Sequence, residues 1–393
     1  MNPAWQCGLL GAALAGALAP VSAAPVSAPV VGKPCLFTEY FAEWRCFPAI
    51  LQDAKGNLTC GSYRLNQGGV TPAPPAAGPV SATPVPREDG HSPQYHFAYR
   101  DVAGGVQDLY FDRVRERDRW FAQRLNDGGR TQAPRAVGEP AGAMVDGRYH
   151  VAYRDARGRV QDLQQGEPWR ALQLNDGGAT AAPAAAGNPV QQVSAGVYFV
   201  TYRDPAGTLQ EVLFDGAWKA RTLSGGSLPA TPPAAGDPVL SEFQKVRHIT
   251  YRDSAGLLQD LSYDGAWHLR QLNAGGQTGA PLAAGDPAVL VVDGTSRHVV
   301  YRDGAGGIQD LYFDTAWHGE QLNAGGATPA PPAAGDPVAL VPPSNWQYVA
   351  YVDARGQAHL LSRHLKEGWK ASLLNAATAP NPPLDHRAWL PVP

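Results

Sequence analysis

Lysine is scarce in this chain: Lys33, Lys55, Lys219, Lys245, Lys366 and Lys370 are all there are in 393 residues. Lys and Arg together number 32 against 35 Asp and Glu, for a net charge of -3. A nucleic-acid partner needs a basic face to meet its phosphates, and this balance argues against one. Helical heptads are missing, which excludes a coiled coil. Past the N-terminus no apolar run reaches the ~18 residues of a membrane-spanning helix. Only four cysteines occur.

What the chain does contain in quantity is Gly and Pro, 44 and 36 residues. Without a period that composition would indicate low complexity. Here it has a period. Asp53, Asp101, Asp155, Asp204, Asp253, Asp303 and Asp353 anchor seven near-copies spaced 48 to 54 residues apart. The clearest copy runs from His298 through Tyr301-Arg302-Asp303 and Gln309-Asp310-Leu311 to Trp317 and Gln321-Leu322-Asn323. A period of about 50 with strand-like content means supersecondary units that bury their faces on their neighbours.

Residues 286–335 divide into one unit. Asp286–Val292 is an apolar run suited to an inner strand, and Asp293–Ser296 is a turn. Arg297–Asp303 alternates as a second strand. Asp303–Gly306 fits a type I turn with glycine in the left-handed position. Ile308–Asp314 and Ala316–Asn323 complete four antiparallel strands, which is a propeller blade. The Pro-rich stretch from Ala324 to Asp336 crosses to the next blade. The expected fold is therefore all-β: a seven-bladed β-propeller of about 50-residue, four-stranded repeats spanning 35–393. Repeat 1 lacks about seven residues before Leu65-Asn66, so its outer strands are shortened. His386–Val392 is expected to add a strand to the first blade and close the ring, with a disordered tail as the alternative.

Residues 1–23 read as an export signal. Cys7 to Ala19 is apolar and Val21-Ser22-Ala23 suits a cleavage point, although the n-region has no Lys or Arg. An uncleaved anchor is the alternative. Residues 24–34 read as a linker, and the mature chain as secreted or extracytoplasmic, with no membrane span. Cys35, Cys46 and Cys60 then allow three single-disulfide pairings, between which the sequence does not choose.

Five repeats share Tyr-Arg-Asp, with Arg100, Arg154, Arg203, Arg252 and Arg302. Eight residues on comes an acid: Asp108, Asp162, Glu211, Asp260 and Asp310. If Arg302 faces Ile308 and Val300 faces Asp310, Arg302 and Asp310 are diagonal neighbours on one sheet face. Either they clip the strands together or they serve a polar ligand between blades. A tryptophan opens the fourth strand in the same repeats: Trp120, Trp169, Trp218, Trp267 and Trp317, with Trp369 a sixth. Trp either packs between blades or stacks on the apolar face of a sugar ring, whose hydroxyls need charged or amide partners. The Gln271/Asn273 and Gln321/Asn323 pairs extend such a site or cap loops. His96, His150, His248 and His298 are spread around the ring, so no metal site is expected and no cofactor either. The insert at Arg113–Arg119 reads as a solvated hairpin.

These strings resemble the repeats of bacterial seven-bladed propeller lectins that bind fucose and related glycans, and more distantly those of six-bladed fungal fucose lectins. The resemblance covers roughly residues 35–375. It implies ligand pockets between adjacent blades and places carbohydrate-binding residues at the Arg, acid and Trp positions of repeats 2 to 6. Repeat 7 departs, with Val352 and His359 in the Arg and acid places, and repeat 1 has Gln52 and Cys60 there. Glycans or glycoconjugates are the implied partners. Several weak sites on one rigid ring suit that role: a millimolar site supplies only about -4 kcal/mol, and multivalency raises avidity about 10²–10⁴-fold. An enzyme needs one asymmetric constellation, and the unrepeated Glu88, Asp89, His91 and Glu242 form no recognisable motif. The competing reading is a secreted protein-interaction or cell-surface scaffold, since fold does not fix function.

Overall fold

The computed structural model describes residues 34–36, 49–60, 63–85, 94–114, 117–223, 230–341, 346–364 and 367–374. Every sheet in them has four antiparallel strands joined in sequence order. Six blades are complete, and they are numbered 2 to 7 here after their repeats. Blade 6 is representative, with strands Ala288–Val292, Ser296–Arg302, Ile308–Phe313 and Trp317–Gln321. These lie within a residue or two of the expected boundaries. Gly306 has φ 83° at the turn between the second and third strands, the conformation expected of it. A β-carbon there would also come within 2.8 Å of Ala333 O in the crossing segment.

Repeat 1 supplies a reduced sheet: Cys35–Leu36, Ala49–Gln52, Leu58–Cys60 and Tyr63–Arg64. The expectation of a seven-bladed propeller is corrected to six full blades, because the residues missing from repeat 1 leave too little chain for more than this reduced sheet. Its residues still pack on both sides. Ile50 and Leu58 join the core of blade 2, while Ala49 and Leu51 join that of blade 7. The described architecture is an all-β propeller of four-stranded blades. Cys60 is disulfide-bonded. Cys46, the expected export signal and the expected closing strand at His386–Val392 lie outside the described residues.

The core consists of layers between blades rather than one central mass. Leu290, Val300 and Ile308 of blade 6, for example, pack with Val349, Tyr351 and Leu361 of blade 7. This arrangement explains the burial of the middle strands. Residues 297–301 and 308–311 are buried on both faces, whereas the outer strand from Trp317 alternates into solvent. Innermost strands of adjacent blades touch one another around the axis.

Each crossing segment is pinned by recurring side chains. Asn323 accepts from Ile308 N at 2.6 Å and donates to Gly306 O and Pro331 O. Asn273 repeats the pattern, and Gln321 and Gln271 donate to backbone carbonyls beside them. The Gln and Asn positions are thus loop caps. The tyrosine of each Tyr-Arg-Asp is fully buried and donates to a proline carbonyl, as Tyr301 does to Pro281 at 2.6 Å. Tyr99, Tyr153, Tyr202, Tyr251 and Tyr351 do the same.

Candidate binding site between the blades

The register of blade 6 is the expected one: Val300 pairs with Asp310 and Arg302 with Ile308. Asp310 therefore has two diagonal neighbours on its face, His298 and Arg302. Sheet twist makes the two diagonals unequal. The histidine takes the short one, its Nδ1 lying 2.9 and 3.1 Å from the Asp310 oxygens. His96 with Asp108, His150 with Asp162 and His248 with Asp260 form the same pair. The four histidines stay spread around the ring, and no metal-binding cluster occurs among the described residues.

The expected Arg–acid clip is thereby corrected. Arg302 points to the crossing segment, where it donates to Ala284 O at 3.3 Å and lies 3.5 Å from Asp336. Arg252 lies 3.5 Å from Asp286, and Arg100 donates to Ala77 O. Arg154 and Arg203 flank Gly138 and Gly187, the matching glycines of their crossings. In all five the Nε–H is buried without an acceptor among the described residues.

Side chains alternate between faces, so the tryptophan and the acid of one repeat lie on opposite sides of their blade. Trp317 pairs with Phe313, which pairs with Arg297, whereas Asp310 pairs with Glu320. The Trp face of each blade looks onto the acid face of the preceding one. Arg297 of blade 6 reaches Asp260 of blade 5 at 2.8 Å, and Arg221 of blade 4 lies 5.1 Å from the ring of Trp267 in blade 5. The groups that converge are therefore the acid of one blade with the tryptophan of the next.

The position just before each histidine was not singled out in the sequence. It holds Tyr149, Tyr198 (before Phe199, which replaces the histidine in blade 4), Arg247 and Arg297 in blades 3 to 6, and only its constant place marks it, because the residue type varies. Tyr198 OH reaches Asp162 at 3.4 Å. Arg247 pairs with Glu211. Arg297 also meets Thr250 Oγ1 at 2.5 Å and Ser241 Oγ at 3.1 Å. Burial works against an ionised Asp260, but Arg297 and His248 override it and hold the carboxyl well below its ordinary range. Burial also pushes the Arg247 guanidinium down to about 10.

The acids are inaccessible, with Asp108, Asp162, Glu211 and Asp310 at 0 % exposure and Asp260 at 1 %. The tryptophans divide. Trp120 is buried at 7 % exposure and Trp369 at 8 %, while Trp169, Trp218, Trp267 and Trp317 are half-buried at the gap mouths. Aromatic surface thus remains open in four gaps, above a floor of buried, hydrogen-bonded charge. In blade 7 the register puts Leu360, not His359, opposite Ala350 in the acid's place. His359 instead takes the Gln309 position and bonds Asp353 at 3.0 Å. Of the unrepeated candidates, Glu242 accepts from Ser194 Oγ, and Glu88, Asp89 and His91 lie outside the described residues.

No family model matches the chain, and no curated protein matches its sequence. Solved structures do. A lectin of Burkholderia pseudomallei superimposes with a TM-score of 0.61 at 15% identity, covering 87% of this chain and 98% of that one. A fucose-specific lectin from Aleuria aurantia gives 0.50 at 12% identity, covering 77% and 97%. A mutant of that lectin in complex with Fucα1-6GlcNAc gives the same figures. These structural neighbours are lectin propellers. At such identities the likeness is one of fold. No helix among the described residues is long and apolar enough to cross a membrane.

Proposed function

We propose that this chain is a secreted, multivalent carbohydrate-binding protein whose sites are the gaps between blades, with fucose-bearing or related glycans as ligands. The reduced first sheet counts in this reading as the seventh blade that closes the ring. The observation that carries it is the set of four half-buried tryptophans, each above a buried acid of the preceding blade. The C–H face of a pyranose stacks on the indole, and the polar groups at the gap rim meet its hydroxyls. Arg100, Arg154, Arg203, Arg252 and Arg302 turn towards the crossing segments, so the site in this reading is built without them. The fold shared with lectins supports it.

Burial and mutual satisfaction of the acids favour a second reading, a protein-interaction or cell-surface scaffold whose inter-blade charges are structural only. A glycan array with wild-type protein and the Trp267→Ala, Trp317→Ala double variant separates the two. Binding to fucosylated glycans that drops in a folded variant supports the lectin. Absence of binding by well-folded wild type at high concentration removes that reading and leaves the scaffold.

A further inference from the structure

The gaps share a frame but not a charge. Between blades 4 and 5 the floor is Glu211, and Phe199 stands where other blades have histidine. Glu211 accepts from Thr201 Oγ1 at 3.2 Å and from Arg221 Nε at 2.7 Å, and it pairs with Arg247 from the other wall. One carboxylate therefore faces two guanidiniums. Both cations are held against aromatic rings: Arg247 lies 3.9 Å from the Phe199 centroid, and Arg221 lies 5.1 Å from that of Trp267. Desolvation lowers the pKa of each. Arg247 is 4 % exposed, and its Nε–H has no acceptor among the described residues. Arg221 keeps 34 % of its side chain open to solvent, beside the half-buried Trp267.

The gap between blades 6 and 7 is built differently. Glu320 occupies the register place that Arg221 holds in blade 4, opposite Asp310 as Arg221 is opposite Glu211. There Glu320 lies 3.7 Å from Arg363 and Asp310 is paired with His298. The same frame thus sets two guanidiniums on one carboxylate in one gap and a glutamate in place of the strand arginine in another.

We propose that the gap between blades 4 and 5 binds the acidic substituent of a glycan, a sulfate ester or a carboxylate, on the Arg221–Arg247 pair while the sugar ring stacks on Trp267. This rests on the glycan-binding reading above. A guanidinium offers parallel N–H donors whose spacing matches two oxygens of either group, which a neutral hydroxyl cannot exploit. Uncompensated charge between low-dielectric aromatic walls strengthens the attraction, and the ligand would neutralise it.

The test uses methyl fucoside, its sulfate monoester and methyl glucuronide in calorimetric titrations of wild type and Arg221→Gln. Inorganic sulfate is added separately in thermal melts at constant ionic strength. The sulfated or the carboxylated sugar is expected to bind wild type at least tenfold tighter than methyl fucoside, and whichever does names the source of the acid. That ratio is expected to fall to within twofold in Arg221→Gln, and sulfate to raise the wild-type Tm more than the variant's. If no sugar binds yet sulfate still separates the two proteins, the glycan reading fails and the oxyanion site stands. Equal binding of neutral and acidic sugars by wild type, with sulfate shifting both proteins alike, overturns the proposal.

Discussion

Arg297 of blade 6 is 1 % exposed and donates from Nη2 to Asp260 Oδ1 of blade 5 at 2.8 Å, so a buried ion pair ties two blades together. A charge in that position is tolerated only while its partner is present.

Replacing Arg297 by methionine leaves Asp260 charged and buried with only His248 and Thr250 beside it. We expect a loss of about 3–5 kcal/mol in urea unfolding. Adding Asp260→Asn is expected to recover part of it, with a coupling of about 1 kcal/mol or more in the double-mutant cycle. Additive losses would mean that the contact contributes nothing.

Asp260 also sets an acid limit. In the unfolded chain it titrates at an ordinary 3.8, and in the fold well below that. Its contribution is therefore complete above the unfolded value and is lost as pH falls towards the folded one. Melts between pH 5 and 2 should show a steeper fall for wild type than for Asp260→Asn, which starts less stable. Parallel curves would refute the assignment.

At alkaline pH the buried tyrosines act in the other direction. Burial raises Tyr301 well above 10, and Tyr202 and Tyr351 to about 12. Stability from these groups is fully present below pH 10 and lost as pH rises through the folded values. Ultraviolet titration should show their phenolate signal appearing only together with unfolding. Tyr301→Phe removes the bond to Pro281 O and should cost about 1 kcal/mol without changing the denaturant slope.

Gly285 has no room for a side chain, because a β-carbon would overlap Asp336 Oδ1 of the next repeat. Gly285→Ala should cost about 1–3 kcal/mol. Gly304→Ala, with nothing near its β-carbon, should lie within about 0.5 kcal/mol of wild type. A calorimetric melt of each checks the contrast, which equal Tm values would abolish.

The strands and register of blade 6 were legible because side-chain alternation and turn glycines are local signals. So was the reduction of the first sheet, since the missing residues could be counted. The Arg302–Asp310 clip was misread because two diagonals are equal in a flat register and become unequal only when the sheet twists. Arg247 and Arg297 were missed because tyrosine stands at the same position in blades 3 and 4.

The repeat, the four strands of a blade and the recurring polar and aromatic positions can be read from the amino-acid order, because a period of two within about 50 residues is written residue by residue. It took the packing of the blades to show that Asp260 belongs with Trp317 rather than Trp267, that four tryptophans stay open, and that one gap sets two guanidiniums on one carboxylate. Those facts arise where two blades meet face to face, between residues 36 to 57 positions apart, and no local pattern records which face of one strand will look onto which face of another.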